Sequence, residues 1–225
     1  MNKTLAIIPA RKGSKGVRKK NKQLIHGKPL IQYSIDVVKD THMIDEVVIS
    51  TDDDEIIEIS KQNGVPFIKR KNNISNDDSP IELSIEEVLN EFSEFQNICL
   101  LQPTSPLRKP KEIASAIDIF NKTDRKRTLV SVFKVDDHHP SRMYRKSGNL
   151  MKPLDELNFS KRRQDLEDLY LRNGCFYIFD RSHFLQEKKV ITKNIIPFIM
   201  PIERSINIDN YQDIELLKIY LSNNL

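Results

Sequence analysis

Thr4-Leu-Ala-Ile-Ile-Pro-Ala-Arg-Lys-Gly-Ser-Lys-Gly16 is the stretch on which the fold turns. After Thr4 the run is continuously apolar and ends in β-branched residues, with no polar alternation. That pattern belongs to a strand buried on both faces. Pro9 ends it, and Ala10–Asn21 is a loop rich in Gly and Lys. A two-sided strand that hands over to a polar loop is a unit of α/β architecture.

Downstream the alternation continues. Leu30, Ile31, Ser34, Ile35, Val37 and Val38 have helical spacing, and Glu46-Val-Val-Ile-Ser50 is a second buried strand closing on Thr51-Asp52. Ile56, Ile57 and Ile59 mark a helix that stops at Asn63-Gly64, and Val65–Ile68 is a short strand. Ile81–Phe92 is amphipathic, Asn97–Leu101 is a third buried strand, and Gln102-Pro-Thr-Ser-Pro-Leu-Arg108 follows it. A helix through Ile113, Ala114, Ile117 and Phe120 precedes a strand over Thr128–Val135. Strand character resumes at Cys175–Phe179 and Ile195–Met200, and a helix over Asp213–Leu221 closes the pattern. Strands alternating with helices predict an α/β domain with a mostly parallel sheet. Residues 136–172 break the pattern, being polar, charged and without long apolar runs; they read as an insert that leaves the sheet. Asp52 is expected to cap the helix that starts at Asp53, and Thr104 or Ser105 to cap the helix after the third buried strand.

Composition excludes several classes. The chain has 225 residues, enough for one domain with its own core, so 1–225 is read as a single domain. No apolar stretch is long enough to cross a bilayer, and Met1–Ala10 lacks the form of a signal peptide, so a soluble cytoplasmic protein without membrane partners is expected. Cys99 and Cys175 lie in apolar runs and read as buried thiols. His138-His139 are adjacent and diverge in an extended chain, which argues against a metal pair. The net charge is only +4, but seven cations crowd Arg11–Lys22. That loop lacks aromatic interleaving, so a nucleic-acid partner is not expected.

Three buried strands end in polar loops, at residues 10–21, 51–55 and 102–108, and parallel sheets bind ligands at such carboxyl ends. Gly13 and Gly16 allow positive φ and close approach to a ligand, and the surrounding cations suit several negative charges on one small molecule, such as a triphosphate. The spacing is neither that of a P-loop nor that of a dinucleotide fingerprint.

Ile8-Pro9-Ala10-Arg11-Lys12-Gly13-Ser14-Lys15-Gly16 with Lys20-Asn21 resembles the signature of the acylneuraminate cytidylyltransferases, a group that includes legionaminate and pseudaminate enzymes. Ser50-Thr51-Asp52, Leu100–Arg108, Asn173-Gly174 and Ser205-Ile206-Asn207-Ile208-Asp209 match further family segments in order. The resemblance implies a Rossmann-like three-layer nucleotidyltransferase fold and transfer of CMP from CTP to a nonulosonic acid, with release of pyrophosphate. N-acylneuraminate is the default substrate; legionaminate, pseudaminate and the more distant Kdo enzyme are alternatives, as is a nucleotide-binding regulator without turnover. It also implies a homodimer, with 136–172 as the dimerisation insert.

By the same resemblance, Arg11, Lys12, Gly13, Ser14, Lys20 and Asn21 bind nucleotide, and Arg70 and Asp77 add contacts. Arg70 also reads as a surface charge and Asp77 as a helix cap. Lys20, Arg11 and Asp209 are the catalytic candidates. Gln102, Arg163, Gln164 and Asn173 are matched to the sugar acid; a guanidinium suits its carboxylate. Arg172 stands one position away from where the family often has a further Arg, and Arg108 reads as structural. Magnesium or manganese is implied, held by Asp209 and Asn207. The family commonly has Asp where this chain has Asn207, and Asp213 is an alternative ligand or a helix-start charge.

Overall fold

β1 (Thr4–Pro9) lies inside a seven-stranded sheet, and its side chains explain why. Leu5 and Ile7 enter one layer of the core, Ala6 and Ile8 the other, all essentially inaccessible to solvent. A strand needing cover on both faces does not sit at an edge. The computed structural model describes residues 2–14, 16–71 and 79–223.

After the loop comes a short hairpin, β2 (Leu24–Ile25) and β3 (Lys28–Pro29), then α1 (Leu30–Lys39). β4 (Glu46–Thr51), α2 (Asp54–Gln62), β5 (Phe67–Lys69) and α3 (Ile81–Glu91) continue the alternation. β6 (Asn97–Leu100), α4 (Pro110–Asn121) and β7 (Leu129–Lys134) follow. β8 (Tyr144–Ser147) and β9 (Leu150–Pro153) form a separate hairpin. The chain then returns through β10 (Tyr170–Asp180), α5 (Arg181–Glu187), β11 (Ile196–Ile199) and α6 (Tyr211–Asn223).

The sheet order is β11-β7-β10-β6-β1-β4-β5; β10 runs antiparallel to both neighbours and the other pairings are parallel. Ile31 and Ile35 of α1 and Ile113, Ile117 and Phe120 of α4 cover one face, with Ile56 of α2. Ile85, Val88 and Leu89 of α3 and Phe184 of α5 cover the other. The result is the three-layer, mostly parallel α/β fold expected from the alternation. β4 lies to one side of β1 and β6 to the other, so the crevice at their carboxyl ends is a topological switch point. A third apolar cluster sits beside that crevice, joining Val17, Ile25, Leu30, Leu107, Ile208, Ile214 and Leu217.

Two capping expectations are corrected. Asp53, not Asp52, caps α2, accepting from the Glu55 N–H at 3.0 Å. Asp52 is turned toward the β1 loop, where it accepts from the Lys12 N–H at 2.7 Å. α4 starts at Pro110, too far along for Thr104 or Ser105; the Lys109 N–H donates to the Glu112 carboxylate at 2.9 Å instead. β10 begins five residues before the predicted strand and shifts register against β7 between Arg172 and Tyr177, an irregularity centred on Gly174 at φ +72°. Among the described residues no helix is long and apolar enough to cross a membrane.

Candidate functional site

The loop after β1 is pinned at both ends by backbone chemistry. The Ala10 N–H donates to Ser50 O at 2.9 Å, and the Thr51 hydroxyl donates to Ala10 O at 2.5 Å. The Asn21 amide donates to Arg11 O at 3.1 Å, closing the loop on itself. Midway, Val17 drops fully into the third apolar cluster. Burial of such a side chain stabilises by about 2 kcal/mol, so a charged loop is anchored by an apolar residue.

Over this loop lies the segment Ser205–Asp209. Its Ile208 is buried in the same cluster, and its Ile208 N–H donates to Thr104 O at 2.8 Å. A Cβ on Gly16 would stand 1.9 Å from the Asp209 carbonyl oxygen, so the two segments touch only because residue 16 has no side chain. The expectation that Gly16 serves by positive φ is corrected: its φ lies outside that region, and close approach is the reason for glycine.

Between these segments opens a cavity of about 360 Å³. The β1 loop contributes Pro9, Arg11, Gly13, Ser14, Lys20 and Asn21, and the end of β5 contributes Arg70. Gln102, Pro103 and Thr104 follow β6, and Asn207 and Asp209 close the far wall. Nine of the sequence candidates thus meet in one place. Lys12 lies beside it, bound through its backbone. Asp77 lies outside the described residues. Ser79 and Ile81, at the start of α3, also line the cavity, as does Thr104, which the sequence offered only as a helix cap and not as a site residue. Thr104 lies within a quoted motif, which was the available signal; Ser79 and Ile81 carried none.

The wall is strongly cationic. The Lys20 ammonium donates to Ile208 O at 2.6 Å and lies 3.3 Å from the Asp209 carboxylate, whose side chain is mostly exposed. Arg70 is buried, its Nε donating to the Ser50 hydroxyl at 2.9 Å. Burial lowers its pKa; Asp52 and Glu87 oppose that, and the nearby positive charge of Arg11 adds to it. Placing two guanidinium groups this close is unfavourable alone and favourable around a polyanion. Lys22 is differently committed: burial disfavours its charge, but hydrogen bonds to Asp53 and Glu55 outweigh this and raise its pKa. It is tied to the start of α2.

On the other side, Gln102 faces the irregular segment of β10. A Cβ on Gly174 would come within 2.8 Å of Gln102 Oε1, so this glycine leaves the amide its room. Asn173 is buried behind the wall. Its amide donates to the Ser205 hydroxyl at 2.9 Å, its Oδ1 accepts from the Cys175 N–H at 3.1 Å, and its carbonyl accepts from the Ser105 hydroxyl at 2.9 Å. Arg163 and Gln164 lie apart from these residues. They line a second cavity of about 400 Å³ with Lys134, His139 and Glu167, and the Arg163 guanidinium pairs with Asp136 and Asp137, each at 3.2 Å.

Asn207 donates to Asp209 Oδ2 at 2.6 Å, and its own oxygen accepts from the Ser105 hydroxyl at 3.4 Å. Asp213 accepts from the N–H groups of Asp209 and Asn210, while Asn210 Oδ1 accepts from those of Gln212 and Asp213. This reciprocal capping box at the start of α6 occupies Asp213. Among the described residues no three His, Cys, Asp or Glu side chains cluster as a ready-made metal cage. One carboxylate and one amide oxygen on the wall fit a hard divalent cation that takes its other ligands from phosphate and water.

The family model described as Cytidylyltransferase matches residues 5–224. The chain is 30% identical over 222 residues to N-acylneuraminate cytidylyltransferase of Escherichia coli, covering 95% of this chain and 51% of that protein. It therefore spans about half the length of that relative. It is 34% identical over 220 residues to CMP-N,N'-diacetyllegionaminic acid synthase of Legionella pneumophila, covering 91% of this chain and 90% of that one. The solved structure of CMP:2-keto-3-deoxy-manno-octonic acid synthetase complexed with CTP superposes with a TM-score of 0.77, covering 99% of this chain and 100% of that one; at 16% identity this bears on the fold alone. With the family model matching nearly end to end, the chain belongs to the cytidylyltransferase family.

Proposed function

We propose that the chain transfers CMP from CTP to the anomeric hydroxyl of a nonulosonic acid, with N-acylneuraminate as the default acceptor and legionaminate and pseudaminate as alternatives. The observation that carries this reading is the meeting of Arg11, Lys20 and Arg70 with Gln102 and Asp209 around one cavity at the sheet's switch point. The names of the two relatives supply the acceptor class. In the reaction the sugar oxygen forms a bond to the α-phosphorus, the bond to the β-phosphate bridge breaks, pyrophosphate leaves with the electron pair, and the hydroxyl proton is released.

Arg11 and Arg70 neutralise the phosphates from the loop side, with Lys12, Gly13 and Ser14 offering loop contacts. Lys20 carries the charge that develops on the leaving pyrophosphate; a positioned cation is worth most where charge appears in the transition state. Asn21 keeps the loop closed. Gln102 orients the sugar acid, while Asn173 acts from behind by holding the β10 irregularity. Asp209 and Asn207 hold a magnesium or manganese ion, which supplies Lewis-acid stabilisation of the phosphates when bound.

The working unit in this reading is a homodimer. The hairpin β8–β9 and the residues beyond it expose Tyr144, Leu150, Met151, Leu157 and Phe159. Large apolar side chains exposed together along one segment support coverage by a second copy. Arg163 and Gln164, which do not line the cavity of their own chain, then complete the neighbouring site by holding the sugar carboxylate.

Pyrophosphate release from CTP with magnesium, measured across N-acylneuraminate, legionaminate, pseudaminate and Kdo, tests the proposal. A nonulosonic acid should be turned over best. Binding of CTP without pyrophosphate release from any acceptor would leave a regulator and sink the enzyme reading.

A further inference from the structure

Arg108 is 4% exposed, lies outside the lining of the cavity, and has no carboxylate partner among the described residues. One terminal nitrogen donates to Gln102 O and to Cys175 O, each at 2.8 Å. The other donates to the Ser34 hydroxyl on α1, and Nε has no partner. An unpaired buried guanidinium is costly, and an apolar side chain of similar volume commonly serves stability better. Its place in the fold says what the cation does.

Gln102 and Cys175 lie just beyond the last register pair of β6 with β10, Leu100 opposite Tyr177. There the ladder stops holding the strands together and the residues facing the cavity begin. We infer that Arg108 is a positioning residue for the acceptor half of the site, fixing the distance between the Gln102 loop and the irregular segment of β10 from beneath. The nitrogen that bonds both segments is held in place by the planar group it belongs to, whose other terminal nitrogen is tied to Ser34, and a flexible ammonium has no such second anchor. On the cavity side the same two segments meet again, through Ser105 on Asn173 O and through the tight fit of Gly174 against Gln102 Oε1. Gln102 therefore stands between two fixed points. Burial pushes the Arg108 pKa down to about 10, so the group keeps its proton at neutral pH. The nearby thiols of Cys99 and Cys175 are pushed up to about 12 by burial and offer it no anion.

The role assigned to the acceptor half rests on the proposed function, so the test separates the two. Arg108→Met and Arg108→Lys are compared with the wild-type chain in melting temperature, hydrogen exchange and kinetics. We expect melting temperatures lowered by several degrees, because the carbonyls of Gln102 and Cys175 lose their buried donor, with the amides of 101, 102, 104, 105 and 173–176 exchanging about tenfold faster, as loss of bonds to a charged donor implies. KM for the sugar acid should rise about tenfold in Arg108→Met and less in Arg108→Lys, with KM for CTP held within about twofold. Unchanged exchange, or changes spread over the whole sheet with both KM values moving together, would overturn the inference. If the wild-type chain turns over no acceptor, the functional reading fails, and the exchange pattern alone decides the role of Arg108.

Discussion

The rim of the cavity and the insert at 136–172 put similar side chains to opposite use. In the rim, Val17 is fully buried within a run of charge, and Arg70 is held by Ser50 with its guanidinium at the cavity. In the insert, Leu157 is 88% exposed, and the half-exposed guanidinium of Arg163 pairs with two exposed aspartates. Side chains of the rim are placed by burial against a core that one chain completes. Those of the insert have no such core, and their apolar residues face outward. The first region should behave as a finished pocket and the second as half of one.

The sharpest way to break that contrast is Lys20→Met. Lys20 touches the segment 205–209 and faces the cavity, but its ammonium is not needed by the core. Turnover measured by pyrophosphate release should fall by roughly 100- to 1,000-fold, the range for losing one positioned transition-state donor. The melting temperature should stay close to wild type. Near-normal turnover would remove the catalytic role of Lys20. Next comes the insert. Leu150→Asp combined with Leu157→Asp should weaken self-association by roughly 100-fold, since each puts a charge where a covered apolar residue is proposed. Sedimentation against concentration would measure it. A wild-type chain that is monomeric at high micromolar concentration would defeat the dimer, and with it the role of Arg163 in a neighbouring site.

Gly16→Ala probes the rim from its other side. The added methyl meets the Asp209 carbonyl at 1.9 Å, so loop and segment must separate. Roughly tenfold or greater loss in kcat/KM is expected for a displacement of this order, with destabilisation of about 1–3 kcal/mol. Gly174→Ala should do less. It adds strain at φ +72° and crowds Gln102 Oε1, which can swing aside, so a several-fold rise in KM for the sugar acid is expected. An equal rise in KM for CTP would place Gln102 on the wrong half of the site.

The same contrast explains how much could be read in advance. Two-sided strands announce themselves because both faces must be apolar, and the run from Leu5 to Ile8 needed no further context. The loops they deliver were legible as sites because parallel strands end there. Contacts between distant segments were not: Gly16 is glycine because of residue 209, and Arg108 is explained only by residues 34, 102 and 175 together. α5 and the hairpin β8–β9 escaped notice because neither carries an apolar repeat long enough to read. Asp52 and Asp53 are equivalent as letters; which one caps α2 depends on Lys12, forty residues earlier.

The smallest expected effect concerns Asn207, a neutral amide beside the Asp209 carboxylate. Its amide donates to Asp209 Oδ2, so the wall presents one negative charge rather than two. Asn207→Asp replaces that donor with a second carboxylate 2.6 Å from the first. Without a cation the two repel, and the variant should melt slightly below wild type at neutral pH. With magnesium the sign reverses. An added charge about 4 Å from a divalent ion is worth about 8 kcal/mol at an effective dielectric of about 20, but the lost hydrogen bond, the desolvation and the repulsion from Asp209 offset most of it. A net tightening of roughly tenfold or less remains. Calorimetric titration with magnesium in the presence of a non-hydrolysable CTP analogue measures it directly, and the melting temperature should recover over the same concentration range. If affinity is unchanged while Asp209→Asn abolishes binding, Asp209 alone holds the ion and Asn207 only orients it. If neither substitution matters, the ion is not bound on this wall.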